Sequence, residues 1–399
     1  MAIRSGGNVA LVHPFDPRGA KVGGVETFVR DYITFFPKDM HLLMIGVDGF
    51  GDLPLGEISE IEVRGRTLSF LPLVHLPDTQ TNQYAGKLAE SLTLRFVGAA
   101  LKNFGKLNKL LNGGNYSLDL RRTELAPIAM MFRRPSVQML HDGMFKGAPM
   151  NSLLRKFWWV KGLSERFSLR HASAFYCVNQ DLTDRLKQEH PSQAHKLGTL
   201  PTWANPTIFA PSPFPVASDT INIGFTGRMD NFKRPDLMFR LVAKAHAIDN
   251  RVRFHYVGDG DVEQFAEFDA IRHVTVLHGR TSSEGLARVL QTLHVGLLTS
   301  DFEGMPRSVM ELLASGRSVV ALHLPQLELV IHDGQSGYLI PRGEDQLDVM
   351  AGRVIDTYRA IEAGSITPDK VAAAVADFGA ERLLGRLYND HRRIHKKEI

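Results

Sequence analysis

Apolar and polar positions along this chain follow two alternating rhythms. Short, mostly apolar runs at residues 9–12, 42–46, 136–140 and 174–178 have the length of buried strands. Stretches with apolar residues three and four apart lie between them; at 181–190, Asp181 stands at a helix start and Leu182 and Leu186 share a face. This alternation predicts parallel α/β units. It breaks at 201–218, where Pro201, Pro206, Pro211, Pro213 and Pro215 give a linker composition. It then resumes, with strands predicted at 221–225, 253–257, 274–277, 295–298 and 318–322 and helices at 235–247 and 283–293. A charged helix is predicted at 380–397, with Leu383, Leu384, Leu387 and Tyr388 spaced for one face. The pattern therefore predicts an α/β chain of two domains, 1–203 and 204–375, with a terminal helical segment at 376–399.

Composition narrows the setting. A length of 399 residues is enough for two ordinary cores. One cysteine, Cys177, excludes an internal disulfide and favours a reducing, cytoplasmic compartment. No apolar run reaches the roughly 18 residues of a membrane span, and the run at 9–12 is too short for a secretory core. The formal net charge of +4 is modest but unevenly placed. Arg155, Lys156 and Lys161 surround Trp158 and Trp159, while Arg95, Lys102, Lys106 and Lys109 sit among Leu92, Leu94, Phe96, Leu101 and Phe104. These stretches read either as ordinary surface helices or as peripheral contacts with the inner face of an anionic membrane. The cations are not gathered into one stripe, so no nucleic-acid partner is expected.

The most informative stretch is Ser300-Asp301-Phe302-Glu303-Gly304-Met305-Pro306-Arg307-Ser308-Val309-Met310-Glu311. It leads from the predicted strand at 295–298 into an apolar-periodic segment at 309–314. Two glutamates thus bracket a strand-to-helix turn, where open α/β sheets bind ligands. N–H groups of the helix's first turn favour an anion such as a diphosphate, and carboxylates accept hydrogen bonds from hydroxyls. The ligand these features suit is a nucleotide-sugar. Arg228 and Lys233 follow another predicted strand end and suit the diphosphate, Arg as a planar fork and Lys as a mobile point charge. Asp259-Gly260-Asp261 has a metal-binding pattern but stands after the predicted strand at 253–257, and no His cluster has ligand spacing, so no metal and no cofactor is expected.

Glu303 and Glu311, with seven residues between them including Gly304-Met305-Pro306, resemble the signature of the retaining glycosyltransferase family 4, whose GT-B fold has two Rossmann-like domains with parallel sheets facing across a cleft. Lys21-Val22-Gly23-Gly24-Val25-Glu26 resembles that family's N-terminal glycine loop, 137–142 its His-Asp strand end, and Gly224-Phe225-Thr226-Gly227-Arg228 with Lys233 its diphosphate pair. The motifs at 256–260 and 333–338 also fit.

The resemblance implies transfer of a hexosyl unit from a nucleoside-diphosphate sugar to a hydroxyl of a glycan or lipid-linked acceptor, without a metal. It implies a donor domain holding phosphate through Arg228 and Lys233, ribose through Glu311 and the sugar through Glu303, with Gly304, Met305 and Pro306 lining the approach and the base near Gly279 and Arg280. It implies an acceptor domain contributing Gly23, Gly24, His141 and Asp142, with acceptor loops at 47–90 and 111–135. The last helix would cross back to that domain. Arg121 and Arg122 with Glu124 suit an acidic acceptor or surface salt bridges. The chain departs from the family where Arg234-Pro235 follows Lys233 in place of Gly, at 202–206, and at His323-Leu324-Pro325-Gln326. A sugar-nucleotide epimerase of the same fold and a non-catalytic nucleotide-sugar-binding subunit are the rival functions.

Overall fold

The computed structural model describes residues 6–19, 23–77, 91–141, 158–215 and 219–397, without the side chains of 158–161 and 397. The chain divides into two compact units. One comprises Met1–Pro201 with Glu381–Ile399, the other Thr202–Ala380.

The first unit carries eight strands: β1 (Asn8–Val12), β2 (His41–Asp48), β3 (Ser59–Val63), β4 (Arg66–His75), β5 (Tyr116–Leu120), β6 (Ser136–Leu140), β7 (Ala174–Cys177) and β8 (Leu197–Thr199). Their order is β3-β4-β2-β1-β5-β6-β7-β8, and every pair is parallel except the β3–β4 hairpin. That hairpin turns at Arg64 and Gly65, both at positive φ (49° and 74°), as a tight two-residue turn requires. The strand order reverses between β1 and β5.

Two expectations about this unit are corrected. The segments 47–90 and 111–135, read as acceptor loops, contain β3, β4 and the central strand β5. β5 escapes the apolar pattern because Ser117 and Asp119 stand in it, yet both are fully buried. Their partners come from the last helix, Ala380–Lys397. Ser117 Oγ lies 2.8 Å from His391 Nδ1 and 3.1 Å from His395 Nε2, and Asp119 Oδ2 lies 3.0 Å from His391 Nε2. Tyr388 donates to the Tyr32 carbonyl at 2.9 Å, and Leu384 and Leu387 are fully buried.

The second unit carries β9 (Ile221–Thr226), β10 (Val252–Val257), β11 (Thr275–Leu277), β12 (Val295–Leu298), β13 (Ser318–Leu322) and β14 (Gly337–Ile340), all parallel, in the order β11-β10-β9-β12-β13-β14. Here the order reverses between β9 and β12. The proline-rich stretch read as a linker is largely packed into this unit. Trp203 and Phe209 are buried, and the buried Arg317 donates to the carbonyls of Ser212 (2.7 Å) and Pro213 (3.0 Å). A cation satisfying several carbonyls replaces the strand pairing that proline denies. Among the described residues no helix is long and apolar enough to cross a membrane.

Candidate functional site

The reversal between β9 and β12 opens a crevice at the carboxyl ends of the two strands, the usual ligand position of an open parallel sheet. Two loops meet there. The one after β9 runs through Gly227, at φ 134°, to a short 3-10 turn at Asn231–Lys233 and the helix Pro235–Ile248. The one after β12 carries Thr299 to Gly304. Several contacts join them. Thr299 Oγ1 donates to the Lys233 carbonyl (2.7 Å), Asp301 N to the Phe232 carbonyl (2.7 Å), Phe232 and Phe302 stack at 4.8 Å, and Lys233 Nζ lies 2.7 Å from Glu303 Oε1.

The Lys233–Glu303 pair is mostly buried, its side chains 13% and 14% exposed. Ser300 Oγ also donates to Glu303 Oε1 at 3.0 Å, and Gln326 Nε2 to the Glu303 carbonyl at 2.8 Å. The cation expected on phosphate and the carboxylate expected on sugar are therefore adjacent and fixed from both sides. Arg228 is more open, 62% exposed, and pairs with Asp230 at 2.9 Å.

The helix Arg307–Ala314 begins after Pro306, its N-cap. Met305 and Pro306 are buried, and Gly304 is half-buried. Glu311 lies one turn in, largely buried, and accepts from Arg307 Nε at 3.0 Å. Gly279 sits at φ 66° after β11, and its carbonyl accepts from Gly258 N at 3.0 Å, tying that loop to the one after β10; Arg280 beside it is exposed.

In the first unit, Gly23 caps the helix Gly24–Thr34 in extended backbone, and Glu26 follows in its first turn. A Cβ on Gly23 would strike the Glu26 carboxylate, whereas Gly24 has open space around it. His141 ends β6, half-buried, with its ring set edge-on to Phe28 at 4.8 Å. Its Nε2 is shielded and has no hydrogen-bond partner among the described residues. Burial first, and then the charge of Arg121, hold the imidazolium pKa well below the ordinary 6.5, so the ring is neutral. The structure thus brings His141 beside the helix that Gly23 caps. Asp142 lies outside the described residues, as do Lys21 and Val22 and most of the tryptophan-rich basic segment.

Arg121 is not a surface cation. Its side chain is fully buried, 2.6 Å from Asp119 Oδ1, with its guanidinium 4.3 Å from the Phe28 ring centre and 4.7 Å from that of Tyr32. It braces the core that carries Phe28, because a buried charge needs both a counter-ion and polarisable faces. Arg122 is half-buried and donates to Thr93 Oγ1 at 3.4 Å.

Sequence reasoning missed Thr299 and Arg342, and gave no joining role to Ser300, Asp301 and Arg234, which together tie the loops of the second unit. Arg342 donates to Asp301 Oδ1 (3.0 Å) and to the Ser300 carbonyl (2.8 Å). A run of small hydroxyl residues directly after a buried strand was the available signal. Arg234 occupies the left-handed region (φ 53°, ψ 60°), which favours glycine; paired hydrogen bonds to Asp236 at 2.9 and 2.8 Å hold it. Among the described residues no group of three His, Cys, Asp or Glu is placed to hold a metal ion.

Two doubly wound units, one with a charged crevice at its strand reversal, define the class: a GT-B fold. The solved structures agree on the fold. Sucrose-phosphate synthase from Thermosynechococcus elongatus superposes with a TM-score of 0.75 over 98% of this chain and 99% of that one, at 15% identity. Anabaena HepE, in complex with UDP, gives 0.63 over 96% and 98%, at 14% identity. Residues 220–359, most of the second unit, match the family model for glycosyl transferases group 1. The D-inositol 3-phosphate glycosyltransferase of Stackebrandtia nassauensis is 30% identical over 174 residues, which is 38% of this chain and 39% of that relative's length. The chain thus shares the GT-B fold of those structures, and its match to glycosyl transferases group 1 lies within the second unit.

Proposed function

We propose that the protein is a retaining, metal-independent hexosyltransferase that moves a sugar from a nucleoside diphosphate to a hydroxyl of a glycan or lipid-linked acceptor. It would act in the cytoplasm, at the inner face of the membrane. The observation that carries this reading is the Lys233–Glu303 pair at the β9–β12 reversal. A cation and a carboxylate 2.7 Å apart at such a crevice suit a ligand in which phosphate adjoins a polyol.

In this reading Lys233 and Arg228 neutralise the diphosphate and stabilise the charge that grows on it as the bond to the anomeric carbon breaks. Glu303 takes sugar hydroxyls, Gly304 to Pro306 line the approach, Glu311 takes the ribose hydroxyls, and Gly279 and Arg280 border the base. Gly23 and Gly24 offer backbone N–H groups, and neutral His141, with Asp142 next to it, offers a hydrogen bond to the sugar without titrating. The acceptor oxygen forms its bond on the face the diphosphate leaves, and the acceptor proton passes to a departing phosphate oxygen. The UDP in the HepE structure makes uracil the first base to try.

The test is calorimetric binding of UDP, GDP and ADP in EDTA to the wild type and to Glu311→Ala. Tight binding of one diphosphate by the wild type, much weakened in the variant, supports the donor site and identifies the base. Binding of none would remove the basis for sugar transfer.

A further inference from the structure

The helices Leu92–Lys102 and Phe104–Gly113 have an unusual balance of surfaces. One side is conventional: Phe96, Ala100, Leu107 and Leu111 are buried against the sheet. The solvent side is also apolar. Leu94 is 51% exposed, Leu101 55% and Phe104 41%. Leu94 and Leu101 are seven residues apart and so form one stripe, and Arg95 and Lys102, at the same spacing, form a parallel cationic stripe beside it. Lys106 and Lys109 extend the charge along the second helix, and both are exposed. Phe104 stacks on Phe132 at 5.3 Å, and Phe132 is flanked by exposed Met130 and Arg133.

Residues 91–113 contain no Asp or Glu. Their four cations equal the formal net charge of the whole chain, +4, so the rest of the sequence sums to zero. This segment thus combines four cations and no anion with three exposed large apolar side chains.

We propose that this paired-helix surface docks on an anionic lipid bilayer, with Leu94, Leu101 and Phe104 entering the headgroup–acyl boundary and Arg95, Lys102, Lys106 and Lys109 on the lipid phosphates. Charge complementarity selects this occupant. A second copy packed through the same face would set like charges against like. A nucleic acid would meet the cations and leave the leucines in water. An anionic membrane satisfies both stripes together. The proposal needs no assumption about sugar transfer, and its test reads no turnover.

The test is flotation of the full chain with vesicles of phosphatidylcholine alone and of phosphatidylcholine mixed with phosphatidylglycerol. The expected result is binding to the mixed vesicles only, weakened by salt. Lys102→Gln, Lys106→Gln and Lys109→Gln should each lower partitioning roughly fivefold. A Leu94→Ser, Leu101→Ser double variant should lower it by more than tenfold, with an unchanged circular dichroism spectrum. Three outcomes would overturn the proposal. In the first, the wild type ignores anionic vesicles. In the second, it binds them but all variants bind equally well, which moves the contact elsewhere. In the third, the chain dimerises or retains an oligonucleotide through this face while leaving vesicles alone.

Discussion

Lys233 Nζ and Glu303 Oε1 lie 2.7 Å apart, in a pair that the sequence places seventy residues apart and the strand reversal brings together. The two groups belong to different parts of the proposed donor, so each holds the other until a ligand arrives. A diphosphate must therefore compete with Glu303 for Lys233. Glu303→Gln releases the cation and should tighten nucleoside-diphosphate binding severalfold while lowering sugar transfer. Lys233→Met should weaken that binding at least about tenfold, or about 1.4 kcal/mol. Calorimetry with the diphosphate alone, beside turnover with the full donor, separates the two effects. Weaker binding by Glu303→Gln would show that the carboxylate does not compete.

Arg234 stands where its φ of 53° favours glycine. Left-handed backbone costs a side-chain-bearing residue about 1 kcal/mol, offset here by the half-exposed Asp236 pair. Arg234→Gly should therefore stay within about 1 kcal/mol of the wild type in urea unfolding. A β-branched Arg234→Val, which loses the pair and keeps the strain, should lose about 2 kcal/mol or more. Equal losses in the two variants would mean that the ion pair, rather than the backbone, dominates.

His294 is 2% exposed, its Nδ1 accepts from Asn222 N at 3.0 Å, and burial lowers its pKa from 6.5 to about 4. Above pH 6.5 the ring is neutral whether the protein is folded or not, so it adds no pH dependence. As pH falls from 6.5 toward 4, the unfolded chain takes up a proton that the folded one refuses, and stability drops by up to about 1.4 kcal/mol per pH unit. His294→Gln should flatten that part of the stability–pH curve. An unchanged slope in the variant would assign the acid sensitivity to other groups.

Arg121 joins two predictions. Removing its charge in Arg121→Met takes away the ion-pair partner of Asp119 Oδ1 and should destabilise the protein by about 3 kcal/mol. It also removes a positive charge that disfavours the His141 imidazolium, so the acid limb of kcat/KM should move to higher pH. Arg121→Lys keeps the charge and should leave that limb in place. A pH profile unchanged in Arg121→Met would confine Arg121 to packing.

Strands made almost wholly of apolar residues, such as β12 and β13, were legible in the sequence because burial on both faces leaves little polar character to confuse the pattern. β5 was not, since Ser117 and Asp119 are satisfied by His391 and His395, more than 270 residues away in sequence. No local pattern encodes such a partner. β3 was hidden by the alternation of an edge strand, with Glu60 and Glu62 exposed. In the second unit the glutamates and Lys233 were readable as a motif. The pairing of Lys233 with Glu303, and that of Arg228 with Asp230, became visible only once the loops were set side by side. Arg121 misled for the opposite reason: two adjacent arginines read as surface charge, while one of them fills the core between two aromatic rings.

The return of the last helix to β5 bears on how the protein is made. The first unit's central strand has buried polar groups whose partners, His391 and His395, are translated more than 270 residues after it. The Thr202–Ala380 unit, by contrast, is continuous in sequence and can complete its core while the ribosome is still working. Synthesis order and folding order are therefore reversed: the first unit, although begun earlier, must wait for His391 and His395 to follow the Thr202–Ala380 unit before Ser117 and Asp119 meet these partners.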